Sequence, residues 1–172
     1  DVKAPEVATL VMGSRLAAEG HRDDWVRIEG PLTAGWVPAR HLAPPDYRAA
    51  DPIALAEGLD GVPYLWGGDT PLGIDCSGLV HLCARMAGAP CPRDSDQQRR
   101  ALGRPADADP RLSRGDLLFW EGHVAIVAAP DRLVHANAHH MAVRAEPLGP
   151  ARERIEAAAG PLLAVGRLPG AA

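Results

Sequence analysis

A cysteine at the predicted start of a helix is the residue of this chain best suited to covalent chemistry. Cys76 stands in the run Asp75–Cys76–Ser77–Gly78, directly after a glycine-rich loop. The unpaired N–H groups and positive potential of a helix N-terminus favour a thiolate and bind an oxyanion beside it. We therefore expect iodoacetamide to alkylate Cys76 well below the free-thiol pKa of about 8.5. The alternative is a small apolar core residue, which suits Cys83, on the apolar stripe of the same helix, better.

Two histidines on consecutive predicted strands supply a base for this thiol. His123 follows Gly122 at the start of one strand, and His135 lies on the next. A hairpin would place the two imidazoles side by side, so that one takes the thiol proton and the other orients it. The alternative is that each is a half-buried histidine bonded to backbone. Tyr64, twelve residues before Cys76, is close enough in sequence for its hydroxyl to fold back over the sulfur.

A zinc site is the competing interpretation of the histidines. Its donors would be His135, His139, His140 and Cys91, but the HxxxHH spacing on a turn matches no established zinc pattern. We therefore predict neither a metal nor an organic cofactor. Cys91, which follows a proline and precedes another, is predicted to be a loop thiol without a role.

Length and charge narrow the class of protein. The 172 residues suffice for one ordinary domain and a small second one. With 47% apolar and 23% charged residues, the composition is that of a soluble globular protein. A net charge of −4 argues against nucleic-acid binding. No run approaches 18 consecutive apolar residues, so we predict no membrane span.

The predicted elements divide the chain near the Pro44–Pro45–Asp46 linker. Residues 1–46 contain short apolar segments between turns, which predict a small β-barrel with strands at Val7–Met12, Trp25–Glu29 and Gly35–Pro38.

Residues 47–172 begin with helical patterns and continue with strands, as in an α+β domain. Asp51 and Pro52 mark the start of one helix, and another begins near Cys76. A short helix is predicted over Gln97–Leu102, and a later one over Ala151–Ala159. The predicted strands are Asp116–Trp120, His123–Ala129, Arg132–Ala136, Met141–Glu146 and Leu162–Leu168.

Four motifs in the second part resemble the NlpC family of bacterial cell-wall cysteine peptidases. They are PYLWGGDTPLGIDCSGLV, PRDSDQQ, RGDLLFWEGHVAIV and LVHANAHH, and the resemblance covers roughly residues 52–168. It implies a papain-like α+β fold in which Cys76 is the nucleophile, His123 the base and His135 the orienting residue, with Tyr64 assisting at the oxyanion. It also implies that the substrate groove is lined by Trp66, Asp75, Ser77, Asp94 and Ser95.

The first 46 residues, which contain GWVPARHL, resemble the bacterial SH3-like domains often fused upstream of such peptidases. In relatives that require a free N-terminal L-alanine, that domain lends an acid and a tyrosine to the ammonium group. Ser14 and Thr33 stand at those positions here. The resemblance therefore implies a further SH3-like domain upstream in the full protein.

The expected activity is hydrolysis of the amide between D-γ-glutamate and a diamino acid, in peptidoglycan stem peptides or released muropeptides. Two alternatives are an acyltransferase or amidase with the same Cys-His-His set, and a wall-binding module without catalysis. Free thiols and the lack of a visible signal peptide favour the cytoplasm; the alternative is a periplasmic or secreted protein.

Overall fold

The computed structural model describes residues 3–30, 34–106 and 111–171. It separates into two compact units, Asp1–Tyr47 and Arg48–Ala172. The assignment of residues 1–46 to an SH3-like domain and of 47–172 to a peptidase domain stays a prediction. Thr33, which stands where the relatives that require a free N-terminal L-alanine have a tyrosine, lies outside the described residues.

The first unit contains an antiparallel sheet of strand order β1-β2-β3 in its described part. The strands are β1 (Ala17–Arg22), β2 (Trp25–Glu29) and β3 (Ala34–Pro38), and a 3-10 turn follows at Ala39–His41. No closed barrel is formed by the part of this unit that the structure describes.

The predicted strand at Val7–Met12 is wrong. These residues are irregular, and the side chains of Val7 and Leu10 are exposed. Val7 packs on the backbone of Gly35, where an added Cβ would lie 3.1 Å from Val7 Cγ2. Val7 therefore approaches β3 through its side chain, and the segment does not form the ladder of hydrogen bonds that defines a strand.

The second unit has helices first and most of its strands afterwards, as the sequence predicts. The helices are α1 (Pro52–Gly58), α2 (Cys76–Met86), α3 (Ser95–Leu102) and α4 (Leu148–Ala159). The strands are β4 (Asp69–Thr70), β5 (Gly73–Ile74), β6 (Arg104–Pro105), β7 (Asp116–Trp120), β8 (His123–Ala129), β9 (Arg132–Asn137), β10 (Ala142–Pro147) and β11 (Ala164–Arg167).

An antiparallel sheet forms the centre of the second unit. Among the described residues its strand order is β10-β9-β8-β7-β11-β6, and β4 pairs separately with β5. All five residues of β7 are buried, which requires cover on both faces of the sheet. Leu118 and Trp120 pack with Ala151 and Ile155 of α4. Helix α2 contacts β8 and β9, so the first turn of α2 lies against the strands that carry the two histidines.

None of the described helices is long and apolar enough to cross a bilayer.

Candidate active site

Cys76 is the first residue of α2, as the sequence predicts. The preceding residue, Asp75, is the N-cap, and its Oδ1 accepts a hydrogen bond of 2.7 Å from the N–H of Gly78. The Cys76 side chain is buried, with 8% of the residue exposed. The helix start therefore presents the sulfur at a place that little solvent reaches.

The Asp75 carboxylate joins the active-site loop to this helix. Its two oxygens accept hydrogen bonds from the groups Gly67 N–H (2.8 Å), Gly78 N–H (2.7 Å), Ser77 Oγ (3.2 Å), Arg93 Nη1 (3.0 Å) and Arg93 Nη2 (2.9 Å). Burial raises the pKa of Asp75, but the bonds from Arg93 and the two backbone groups outweigh it and lower the pKa. A carboxylate so fully engaged is suited to holding Cys76 in place, and its role as a substrate contact stays a prediction.

Arg93 completes this junction, and the sequence analysis assigned it no role of its own. Its Nη1 donates to Ser77 Oγ at 3.0 Å, and its Nη2 donates to the carbonyl of Gly68 at 2.9 Å. One guanidinium thus ties the loop, the helix start and the segment before α3 together. Gln98, which is buried, adds a bond from its Nε2 to the Ser77 carbonyl at 2.9 Å.

The two histidines meet as the hairpin prediction requires. His123 Nε2 lies 2.7 Å from His135 Nδ1, and the ring planes are inclined at 70°. His135 is 1% exposed, while His123 is partly exposed at the start of β8. His123 therefore stands between solvent and the buried His135.

The sulfur of Cys76 lies beside the start of β8. The backbone N–H groups of Val124, Ser77 and Cys76 itself all favour its thiolate form. Val124 directly follows His123, so the Cys76 thiol lies at the strand start that carries His123. Because Nε2 of His123 is engaged with His135, Nδ1 is the ring nitrogen outside this contact.

Tyr64 is close enough to interact electrostatically with Cys76. Burial first, and then the nearby Cys76 and Asp75, raise the pKa of the Tyr64 phenol. Its backbone is fixed by a 2.9 Å bond to the Met141 carbonyl and by a bridge to Ile74. The phenol therefore stays protonated at neutral pH, as a hydrogen-bond donor must.

The thiol of Cys76 is not activated in the way that its helix position suggested. Burial raises its pKa, and the N–H groups that favour the thiolate offset this only in part. Burial and the electrostatic effects of His135 and Arg154 hold the pKa of His123 well below its usual value. These directions oppose the expected preformed thiolate: burial favours the neutral thiol of Cys76 and the neutral imidazole of His123.

Alkylation should report this protonation state. In a Cys83→Ala, Cys91→Ala background, we expect the rate of reaction of Cys76 with iodoacetamide to rise with a midpoint above the free-thiol value of about 8.5. The measurement is the second-order rate constant between pH 5 and 10, with free cysteine as the reference. A midpoint below that of free cysteine would restore the preformed thiolate.

The other residues predicted for the substrate groove occupy different environments. Trp66 is 82% exposed in the loop before β4. Asp94 is exposed and accepts a 3.1 Å bond from Gln97, and Ser95 is the first residue of α3. Ser77 is buried and bonded to Asp75 and Arg93. Substrate contacts of these residues stay predictions.

Two of the histidines of the alternative zinc site have other partners. His135 bonds to His123 and to Glu146, and His140 Nε2 lies 3.5 Å from Glu146 Oε2. In the part of the chain that the structure describes, no group of three or more His, Cys, Asp and Glu side chains could hold a metal ion.

Beyond His135 lies an ion pair that the sequence analysis missed. His135 Nε2 is 2.7 Å from Glu146 Oε1, which accepts a 2.6 Å bond from Arg154 Nη2. Glu146 was placed on a predicted strand, and the period of two along β10 would have put it on the same face as Arg144, the residue that pairs with His135. That hairpin register is the signal that could have found it.

Known proteins with the same motifs cover most of the second unit. The model of the NlpC/P60 family matches residues 61–153. Dipeptidyl-peptidase 6 of Lysinibacillus sphaericus is 30% identical over 151 residues, which are 79% of this chain and 55% of that protein. The probable endopeptidase NlpC of Escherichia coli is 34% identical over 128 residues, 65% of this chain and 80% of that protein.

A solved structure extends the likeness to more of the chain. The crystal structure of an NlpC/P60 family protein from Bacillus cereus superposes with a TM-score of 0.68 at 25% identity, covering 90% of this chain and 54% of that one. The γ-D-glutamyl-L-lysine dipeptidyl-peptidase of Bacillus cereus is 33% identical over 112 residues, 60% of this chain and 33% of that protein. The chain thus spans about half of the first of these relatives and a third of the last.

Proposed function

Because the chain belongs to the NlpC/P60 family of peptidoglycan peptidases, with a papain-like fold, we propose that it is a cysteine endopeptidase. Its substrate is the amide between D-γ-glutamate and a diamino acid in stem peptides or released muropeptides. The observation that carries the proposal is the 2.7 Å contact between His123 and His135, at the strand start against which the Cys76 sulfur lies.

The reaction begins with a proton transfer that accompanies attack. As the Cys76 sulfur attacks the γ-carbonyl carbon, Nδ1 of His123 takes the thiol proton. The resulting oxyanion accepts hydrogen bonds from the Cys76 N–H and the Tyr64 hydroxyl. Because burial favours the neutral thiol and the neutral imidazole, the ion pair of thiolate and imidazolium forms only along the reaction path.

Collapse of the tetrahedral intermediate completes the first half of the reaction. The C–N bond breaks, the amine of the diamino acid takes the proton from His123, and an acyl-thioester remains on Cys76. His123 then removes a proton from water, which attacks the thioester. The product is a free γ-carboxylate of D-glutamate, with the thiol restored.

The choice of substrate rests on the names of relatives. The proteins from Bacillus cereus and Bacillus subtilis that are 33% and 36% identical to this chain are γ-D-glutamyl-L-lysine dipeptidyl-peptidases. We propose that the present chain cleaves the same type of bond, and the assay below identifies the diamino acid.

Mass spectrometry of digested peptides tests the proposal. We expect L-Ala-γ-D-Glu-L-Lys or its diaminopimelate analogue to yield the dipeptide L-Ala-D-Glu and the free diamino acid fragment. The matched control is the same peptide with an α-linked glutamate, which should stay intact. Cleavage of neither γ-linked peptide, or equal cleavage of both linkages, would contradict the assignment.

The first unit and the cellular location complete the proposal. We propose that residues 1–46 are SH3-like on the basis of GWVPARHL and the three-stranded sheet of their described part. We likewise propose that the enzyme is cytoplasmic and recycles short muropeptides, because all three cysteines are free thiols. We also propose that a further SH3-like domain upstream binds the ammonium group of the substrate.

A further inference from the structure

The hydrogen bonds of the two histidines continue through a partly buried carboxylate to an arginine. The contacts are His123–His135 at 2.7 Å, His135–Glu146 at 2.7 Å and Glu146–Arg154 at 2.6 Å. We propose that Glu146 and Arg154 are positioning residues that set the direction of every hydrogen bond in this relay, so that His123 presents an unprotonated Nδ1 to Cys76. The inference rests on the proposed function, because it assigns His123 as the base.

The direction of the hydrogen bonds in the relay follows from the chemistry of a carboxylate. Glu146 is ionised at neutral pH: burial raises its pKa, but the bonds from Arg154 and His135 outweigh this and lower it to about 2. An ionised carboxylate only accepts hydrogen bonds, so His135 must carry its proton on Nε2.

The proton position on His135 then determines that on His123. A neutral His135 with a proton on Nε2 has a lone pair on Nδ1, which accepts from His123 Nε2. A neutral His123 that donates from Nε2 has its lone pair on Nδ1. One carboxylate thus selects the tautomers of two imidazoles and leaves the base ready for the thiol.

Arg154 balances the charge of this carboxylate. Glu146 raises the pKa of both histidines, whereas Arg154 lowers it. Among the described residues His140 also faces Glu146: its Nε2 lies 3.5 Å from Oε2, and it too lowers the pKa of His135. Burial first, and then the charge of Arg154, lower the pKa of His135 and favour its neutral form. The relay needs a neutral His135 for the selection of tautomers.

The backbone places these groups without strain. His135 pairs with Arg144, and Glu146 pairs with Leu133, in the antiparallel ladder of β9 and β10. His135 and Glu146 are thus diagonal neighbours on one face of the sheet, a separation that long side chains bridge. Arg154 reaches the same face from α4, which contacts β9 and β10.

Nitrogen-15 NMR of the imidazoles, in the wild type and in variants, tests the proposal without any substrate. In the wild type we expect both His123 and His135 to be protonated at Nε2. In Glu146→Leu the acceptor is lost and Arg154 faces His135 Nε2 as a donor, so we expect both tautomers to reverse and kcat to fall at least 10-fold. Glu146→Gln keeps an acceptor oxygen, so we expect it to retain the wild-type tautomers and most of the activity.

The two charges give opposite shifts that a merely structural role would not produce. Arg154→Met should raise the pKa values of His123 and His135, and Glu146→Gln should lower them, each followed by NMR titration. Glu153→Gln and Arg152→Met, which change neighbouring residues of α4, are the matched controls and should leave both titrations unchanged. Arg154→Met also tests the proposal if Glu146→Leu does not fold.

The outcomes separate this inference from the proposed function. Wild-type tautomers in a folded Glu146→Leu variant, or shifts of one sign in both charge variants, would overturn the positioning role whatever the enzyme cleaves. The expected tautomers and shifts in a protein that leaves γ-D-glutamyl peptides intact would support the relay and overturn only the assigned reaction.

Discussion

Replacing Cys76 by alanine is expected to abolish cleavage of γ-D-glutamyl peptides, with a fall in kcat of about 10⁴-fold or more. The sulfur forms the covalent bond in both halves of the proposed reaction, and no other thiol occupies a helix start. Substrate binding should survive, because the change removes one buried atom and leaves Asp75, Arg93 and the loop in place. The measurements are product formation by mass spectrometry and substrate affinity by calorimetry.

Cys83→Ala is the matched control for this variant. Cys83 lies on the same helix, is fully buried, and has its pKa raised by burial to about 12, so it has no nucleophilic role at neutral pH. We expect it to lower stability by about 1 kcal/mol through a small cavity and to leave kcat within a few-fold of the wild type. Undiminished activity in Cys76→Ala, or its loss in Cys83→Ala alone, would overturn the assignment of the nucleophile.

Local signals in the sequence predicted most of the second unit. The N-cap expected at Asp51 accepts bonds from the N–H groups of Ile53 and Ala54, and α1 begins at Pro52. Strands β7 and β8 have the predicted ends because Gly122, with φ of +67°, forms the turn between them. Each of these features depends on residues within a few positions of one another. Features of this local kind can be predicted directly from the sequence.

Contacts between elements that are distant in sequence leave no local pattern from which they could be predicted. Arg93 reaches Asp75 across 18 residues, and Arg154 reaches Glu146 from a helix whose approach to the sheet no local pattern specifies. The pKa of Cys76 was misjudged for the same reason: the helix start is visible in the sequence, but the burial that opposes it depends on the packing of α2 against β8. Val7 was misjudged because its partner, Gly35, is distant along the chain.

Gly78→Ala should have a large structural effect for a single methyl group added near the site. A Cβ at residue 78 would lie 2.2 Å from the carbonyl oxygen of Gly68, 3.1 Å from Asp75 Oδ1 and 3.2 Å from Arg93 Nη2. The first of these is backbone that bonds to Arg93 and to the Asp75 N–H, so it cannot move without breaking the junction. We expect a loss of about 1–3 kcal/mol of stability from overpacking.

The added methyl group should lower activity as well as stability. Relief of the clash requires the loop at Gly68 to move away from the first turn of α2, and the Cys76 N–H that we propose as an oxyanion donor belongs to that turn. A displacement of about 1 Å in such a site costs on the order of 10²-fold in kcat/KM.

Gly58→Ala in α1 is the control, because among the described residues nothing lies within 4 Å of its added Cβ, and alanine there should slightly stabilise the helix. The measurements are thermal unfolding and kcat/KM of the two variants. An active and stable Gly78→Ala enzyme would mean that the loop moves to accommodate the methyl group, and that Asp75 and Arg93 do not hold the site rigid.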